Sequence, residues 1–213
     1  MTKLLLLGGG GHCESVIEVL EMLPDYQVIG ILDPIYSELT EAKILGYPIL
    51  GNDDDVLKYI QEGYEFVITV GQIKSAAVRR KLFTKVKSHG GKLPVIISST
   101  AHVSKHATIG EGTVIMNFSM VNSNTSIGVG NIINTFANIE HGCRLGDFNH
   151  ISTRATVNGD VNIYNDVFIG SGTIVNEGCT IEENVVIGSG SLVRKNISSN
   201  RIARGNPIKI IKK

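Results

Sequence analysis

The sequence has no tryptophan and only six phenylalanines and six tyrosines. Its core must therefore be filled mainly by Ile, Val and Leu. It has no net charge, because 20 Lys and Arg balance 20 Asp and Glu. That removes any electrostatic case for binding nucleic acid or an anionic membrane. No apolar run approaches the ~20 residues of a membrane helix. The start, MTKLLLLGGGGH, is too short and too Gly-rich for a signal peptide. A cytoplasmic location is the expectation. Cysteine is scarce as well. Of three, Cys13 stands alone near the start of a helix pattern, with no second Cys nearby for a metal or redox pair.

A period of six runs from residue 102 to 197. From His102 the chain reads HVSKHA, TIGEGT, VIMNFS, MVNSNT, SIGVGN, IINTFA, NIEHGC, RLGDFN, HISTRA, TVNGDV, NIYNDV, FIGSGT, IVNEGC, TIEENV, VIGSGS, LVRKNI. These sixteen hexads carry no insertion, and the second position is always Val, Ile or Leu. The sixth is mostly small, as at Ala107, Thr113, Ser119, Ala137, Cys143, Ala155 and Thr173, with Val, Asn or Ile elsewhere. Neither helix nor ordinary strand needs a period of six. A parallel β-helix does, because each hexad is a short strand plus a corner and three hexads close a coil of about 18 residues. The aliphatic residue faces inward and the small one sits at a crowded corner. Gly110, Gly128, Gly146, Gly170 and Gly188 are expected to ease the turns. The period also separates Cys143 from Cys179 by two coils, roughly 10 Å at about 4.8 Å per coil. That is too far for a disulfide, and both read as inward corner residues.

Residues 1–97 show alternating strand and helix patterns. Lys3–Leu7 reads as a strand ending at the loop Gly8–His12. A helix follows, with Val16, Val19, Leu20 and Leu23 on one face, closed by Pro24. Gln27–Leu32 is a strand ending at Asp33-Pro34, and Asp53–Ile60 a helix with an acidic first turn. Phe66–Val70 is a strand ending at Gly71, and Ser75–Ser88 a basic amphipathic helix. Leu93–Ile97 reads as a last strand that Pro94 confines to an edge. The order implies a small parallel sheet. The predicted organisation is an α/β Rossmann-like domain at 1–98, then an all-β parallel β-helix with a C-terminal tail at 99–213.

Ligands bind such sheets beyond the carboxyl ends of the strands. The Gly8–His12 loop, Asp33 and Gly71 lie there. Four glycines let backbone amides approach a phosphate at the first helix, and they equally make a tight turn. The loop is not G-x-G-x-x-G, since Cys13 falls where the last glycine would be. A domain of half the usual two-lobed size favours a nucleotide sugar over NAD.

The hexads resemble those of the hexapeptide-repeat acyltransferases, whose prism is a left-handed β-helix. The hand comes from this resemblance, since the usual crossover rule gives the opposite one. The whole chain resembles the bacterial sugar acetyltransferases of sialic acid and nucleotide-activated amino-sugar biosynthesis. The resemblance lies in Gly10-Gly11-His12, Asp33, Asn134, Glu140-His141, Phe148-Asn149-His150 and Gly205-Asn206-Pro207. It implies that Gly10, Gly11, His12 and Asp33 contact a nucleotide sugar. It also implies that the β-helix forms a homotrimer, with acetyl-CoA, a co-substrate rather than a resident cofactor, between neighbouring prisms. Two departures stand out. Relatives often carry an acid directly after the catalytic His, where this chain has Gly142. Pro34 follows Asp33 in place of a second acid.

Of six histidines, His89 reads as an exposed helix end, and His102 and His106 as structural. A zinc site needs two His about five residues apart late in the repeats. Gly146 stands five after His141, so no metal is expected. His141 occupies a solvent-facing position, with Gly159 one coil on leaving room beside its ring. A neutral imidazole suits removal of the proton as an amine or hydroxyl attacks a thioester. His141 is therefore the expected base. Glu140 and Asp147 are the nearest acids in sequence, and Glu140 is the candidate to orient it. The Gly159 amide and the His150 ring are candidates to stabilise the oxyanion. With the resemblance, the residues expected to contact acetyl-CoA are Asn134, His150, Gly159, Ser171 and Ser189. The last two recur at 18, although Gly-Ser-Gly is also simply a good corner. Arg194, Lys195, Arg201 and Arg204 could meet the 3′-phosphate of CoA. A thiol nucleophile at Cys143 is disfavoured by its inward position.

The expected activity is acetyl-CoA-dependent N-acetylation of a UDP- or dTDP-linked amino sugar for a bacterial surface glycan. The alternatives are O-acetylation of a sialic-acid-type sugar and a non-catalytic scaffold that binds a sugar nucleotide.

Overall fold

The computed structural model describes residues 1–36 and 41–212. They form two compact units, Met1–Gly71 with Ala77–Ser99, and Gln72–Ala76 with Thr100–Lys213.

The first unit runs β1 (Thr2–Leu7), α1 (Gly11–Glu21), β2 (Tyr26–Leu32), β3 (Lys43–Ile44), β4 (Tyr47–Gly51), α2 (Val56–Gln61), β5 (Glu65–Ile68) and α3 (Ala77–Ser88). The sheet order is β3-β4-β2-β1-β5, parallel except for the β3–β4 hairpin. Leu5, Leu7, Leu32, Phe66 and Ile68 of β1, β2 and β5 pack with Val56, Tyr59, Leu82 and Val86 of the helices. Each such side chain contributes about 1.5–3 kcal/mol on leaving water.

The hairpin has no counterpart in the sequence patterns. Its turn is Leu45-Gly46, both at positive φ, a primed-turn geometry without the Asn-Gly or Asp-Gly signature. The Asp-rich stretch is a 3-10 turn (Asp53–Asp55) capped by Asn52 before α2 begins. β5 stops at Ile68, α3 starts at Ala77, and Ile96–Ile97 lies outside the five-stranded sheet. Arg79 caps the end of β5, its buried guanidinium donating to the carbonyls of Ile68 (3.0 Å) and Val70 (2.6 Å).

The second unit contains sixteen two-residue strands, from His102–Val103 to Leu192–Val193, one per hexad. Strands 18 residues apart pair in parallel, for example Met120↔Asn138 and Asn138↔Thr156. Three sheets result, one continued by Ile202–Arg204 and the antiparallel Lys209–Lys212. Second-position residues fill the interior, with Val121, Ile133, Ile139, Ile151, Val157, Ile169 and Val175 all at 0% exposure.

The glycines expected to ease the turns have a different task. The left-handed backbone sits at position five of the hexad, from Gly112 to Gly190, and is adopted there by Phe118, Arg154 and Asp160 as readily as by glycine. Gly170 stands at position three, where an added Cβ would come within 2.5 Å of the Ser189 amide nitrogen on the next coil. Close approach of coils is what requires glycine at that position.

One corner carries a buried polar ladder. Thr113, Asn131 and Asn149 stack at position six, all at 0% exposure. The Thr113 hydroxyl accepts from Asn131 N (3.1 Å). Asn131 Oδ1 accepts from Asn149 N, and Asn149 Oδ1 from Val167 N, both at 2.8 Å. The amides donate to Gly146 O at 3.0 and 3.1 Å.

Candidate functional site

Three clusters hold the expected site residues. The first is a cavity of about 410 Å³ in the α/β unit, lined by Gly8–His12, Asp33–Ile35 and Thr69–Gly71, with Asp53, Val78 and Leu82. It lies where the chain leaves β1, β2 and β5, so Gly10, Gly11, His12, Asp33 and Gly71 share one hollow. β1 lies between β2 and β5, the switch point at which open α/β sheets bind ligands. Gly10 caps α1 without a side-chain bond, and an added Cβ at Gly10 or Gly11 would meet nothing within 4 Å. The first turn of α1 thus presents backbone to the cavity, which suits an anionic group.

Asp33, 7% exposed, has a task the sequence did not reveal. Its Oδ2 accepts from Gly9 N (2.6 Å), and its Oδ1 from Ile35 N (2.8 Å) and Tyr36 N (3.2 Å). The carboxylate ties the glycine loop to the turn after β2. Asp33→Asn places an NH2 against a backbone donor. It is expected to cost roughly 2 kcal/mol and to raise KM for a ligand of this cavity about tenfold. Thermal melts and steady-state kinetics read the two effects.

The second cluster lies at one corner of the prism. His141 is exposed, and its ring lies against Gly159. An added Cβ there would stand 2.7 Å from Cε1 and 2.9 Å from Nε2. Glu140 accepts from Asn122 Nδ2 and Asn138 Nδ2, both at 3.0 Å. These two amides, Asn138 foremost, hold its carboxyl below the usual range, and His141 adds to the effect. Glu140 is thus a fixed carboxylate next to His141 in sequence. Asp147 is at another corner, where its Oδ1 accepts from Val129 N (2.9 Å). Cys143 is buried and its thiol donates to Asn158 O (3.1 Å). Burial pushes it up to about 11, so it stays a neutral thiol at neutral pH. Gly159→Ala is expected to displace the imidazole and lower kcat about tenfold or more with little change in KM. Comparison of kcat and KM with the parent protein checks this.

The third cluster gathers Asn134, His150 and Ser171. His150, 8% exposed, bonds through Nδ1 to Gln72 O (2.6 Å) and through Nε2 to Asn134 Nδ2 (3.1 Å). Asn134 Oδ1 accepts from Thr135 N, which fixes the amide with its NH2 toward the ring. Nδ1 therefore carries the proton and Nε2 accepts. Both ring nitrogens of His150 are thus engaged within the chain. Gln72, whose amide donates to Phe148 O (2.8 Å), escaped sequence reading because it lies outside the hexads. The Ser152 and Ser171 hydroxyls share a bond of 2.9 Å. Ser189 is one coil on and lines a hollow of about 530 Å³ with Arg204, Gly205, Asn206, Pro207, Lys209 and Ile211. Arg194, Lys195 and Arg201 are not among its walls. Phe118 and Phe136 are exposed and stack at 5.0 Å, with Arg154 5.6 Å from the second ring. Along the hexads, the second and third clusters fall at different corners of one chain.

Comparison with known proteins follows the same division. The family model for the PglD N-terminal domain matches residues 3–86. The model for bacterial transferase hexapeptide (six repeats) matches residues 160–195. A UDP-N-acetylbacillosamine N-acetyltransferase of Bacillus subtilis (strain 168) is 30% identical over 118 residues, 54% of this chain. The chain spans about half, 52%, of that relative's length. Among solved structures, the acetyltransferase domain of PglB from Neisseria gonorrhoeae FA1090 is 30% identical. The two superpose with a TM-score of 0.91 over 99% of this chain and 100% of that one. PerB from Caulobacter crescentus, solved with CoA and GDP-perosamine, is 29% identical, with a TM-score of 0.87 over 99% and 97%. With an α/β domain of the PglD type, a left-handed β-helix and this match along its whole length, the chain belongs to the hexapeptide-repeat sugar acetyltransferase family of the PglB acetyltransferase domain.

Proposed function

We propose that this protein transfers the acetyl group of acetyl-CoA to the amino group of a nucleotide-linked amino sugar, with His141 as general base. The observation that carries this reading is the exposed His141 ring, seated on Gly159 of the next coil. The amine attacks the thioester carbonyl while the neutral imidazole takes its proton. The tetrahedral intermediate then collapses, releasing CoA thiol and the amide. The buried neutral Cys143 gives no reason to invoke an acyl-enzyme.

The glycine-lined cavity of the α/β unit suits the nucleotide phosphates. The third cluster and the hollow at Ser189 and Arg204 suit the pantetheine arm and CoA phosphates. The acceptor, donor and base come together in a homotrimer, where the third cluster of one subunit meets the His141 corner of the next. Nitrogen is favoured over oxygen because the relatives named by their reaction are N-acetyltransferases. The reaction belongs in the cytoplasm, which holds acetyl-CoA. No helix among the described residues is long and apolar enough to cross a membrane. A screen of UDP-, dTDP- and GDP-linked amino sugars with acetyl-CoA, reading released thiol, tests the reaction. Absence of acetylated product from any of them counts against it. A monomer by light scattering counts against the shared site.

A further inference from the structure

We infer that Asp160 is a positioning residue for His141, its carboxylate reaching back from the next coil to orient the imidazole and stabilise its protonated form. The inference rests on the reading of His141 as base.

The geometry is reciprocal. Asp160 stands at position five of its hexad, one coil beyond Gly142. A Cβ added at Gly142 would collide with Asp160 Oδ1 and lie 3.2 Å from its Cγ. The carboxylate therefore covers Gly142 from the next coil. In the opposite direction, the His141 ring covers Gly159. Each side chain crosses the same gap between coils and lies over the glycine beside the other. The backbone closes the arrangement, since Asp160 N donates to His141 O at 2.9 Å. A side chain at 142 or 159 would expel one member of the pair. Glu140 is committed to Asn122 and Asn138. Cys143, whose thiol feels both Asp160 and Glu140, remains neutral. On the preceding coil the corner offers Ser123 and Asn124, which carry no charge. Glu177 lies two coils from His141 in the same column.

The test compares the pH dependence of kcat/KM for the parent protein, Asp160→Asn and the double variant Gly142→Asp/Asp160→Gly, with His141→Ala as reference. Position five already accommodates Asp and Asn in the left-handed region, at Asp160, Asp166, Asn124 and Asn184. The swap thus moves the carboxylate back one coil without a new backbone demand. The base must be neutral to act, and a nearby anion favours the cationic form of an imidazole. Asp160→Asn is expected to move the acidic limb to lower pH by roughly half a unit. Its kcat should fall about tenfold, with KM and melting temperature little changed. The double variant should return the limb toward its original position. An Asp160→Asn profile matching the parent's, with His141→Ala inactive, overturns the inference and leaves the base intact. So does a fall in kcat with the limb unmoved, which marks a merely structural residue. A swap that folds but leaves the limb where Asp160→Asn put it also overturns it. Full turnover by His141→Ala removes the reading of the base itself.

Discussion

His141→Ala is expected to lower kcat/KM about 10²- to 10⁴-fold, the usual range for removal of a general base, while leaving the fold untouched. The imidazole is exposed and packs on a glycine, so its loss opens no cavity and strands no buried partner. The melting temperature should match that of the parent protein. Binding should survive as well. The hollow proposed for the nucleotide belongs to the α/β unit, and the residues proposed for CoA are Asn134, His150, Ser171 and Ser189. Calorimetric titration with CoA should therefore give a Kd within a few-fold of the parent value. The measurement that checks the prediction is initial-rate thiol release with the acceptor identified in the screen. Full turnover would mean that the proton leaves by another route and that the outward His is ornamental to the prism.

The largest loss of stability is expected from the asparagine ladder. Asn149→Ala removes the acceptor of the Val167 amide and one donor to Gly146 O, at a site with 0% exposure. An orphaned buried N–H costs about 1–3 kcal/mol, and the space left by the side chain adds roughly 1 kcal/mol or more. The sum, roughly 3 kcal/mol, corresponds to a fall of about 10 °C in melting temperature for a unit of this size. Asn149→Thr offers a control. The Thr113 hydroxyl already accepts from the next coil's amide in this ladder, so threonine should recover part of the loss. Denaturant unfolding followed by circular dichroism separates the variants. Equal loss in both would show that volume, and not the hydrogen bond, is what the corner requires.

Much of this architecture is legible in the residues. The second-position Val, Ile and Leu announce the prism because only a coil of three short strands needs an inward aliphatic every six residues. His141 and Gly159 fall together by counting 18. The loops Gly8–His12, Asp33 and Gly71 meet because parallel strands deliver their carboxyl ends to one edge of a sheet. Other features escape such counting. The Leu45-Gly46 hairpin lacks the turn residues that would advertise it. Gln72 reaches His150 from outside the repeat, so no period links the two. The resemblance placed Asp33 against the ligand, whereas its oxygens already hold three backbone amides.

The sequence by itself determined the period, the inward set, the α/β order of the first unit and the identity of the outward histidine. Those follow from spacing, which a chain carries whether folded or not. Only the tertiary structure decided how the outward side chains lean. The His150 ring is fixed because Nδ1 donates to the Gln72 carbonyl and Nε2 meets the Asn134 amide. Asp160 Oδ1 fills the space that a side chain at Gly142 would take, since stacking at one coil spacing lets a side chain occupy its neighbour's place. Hydrogen-bond direction and the sharing of space between coils depend on atoms brought within a few ångströms, and no linear pattern records that.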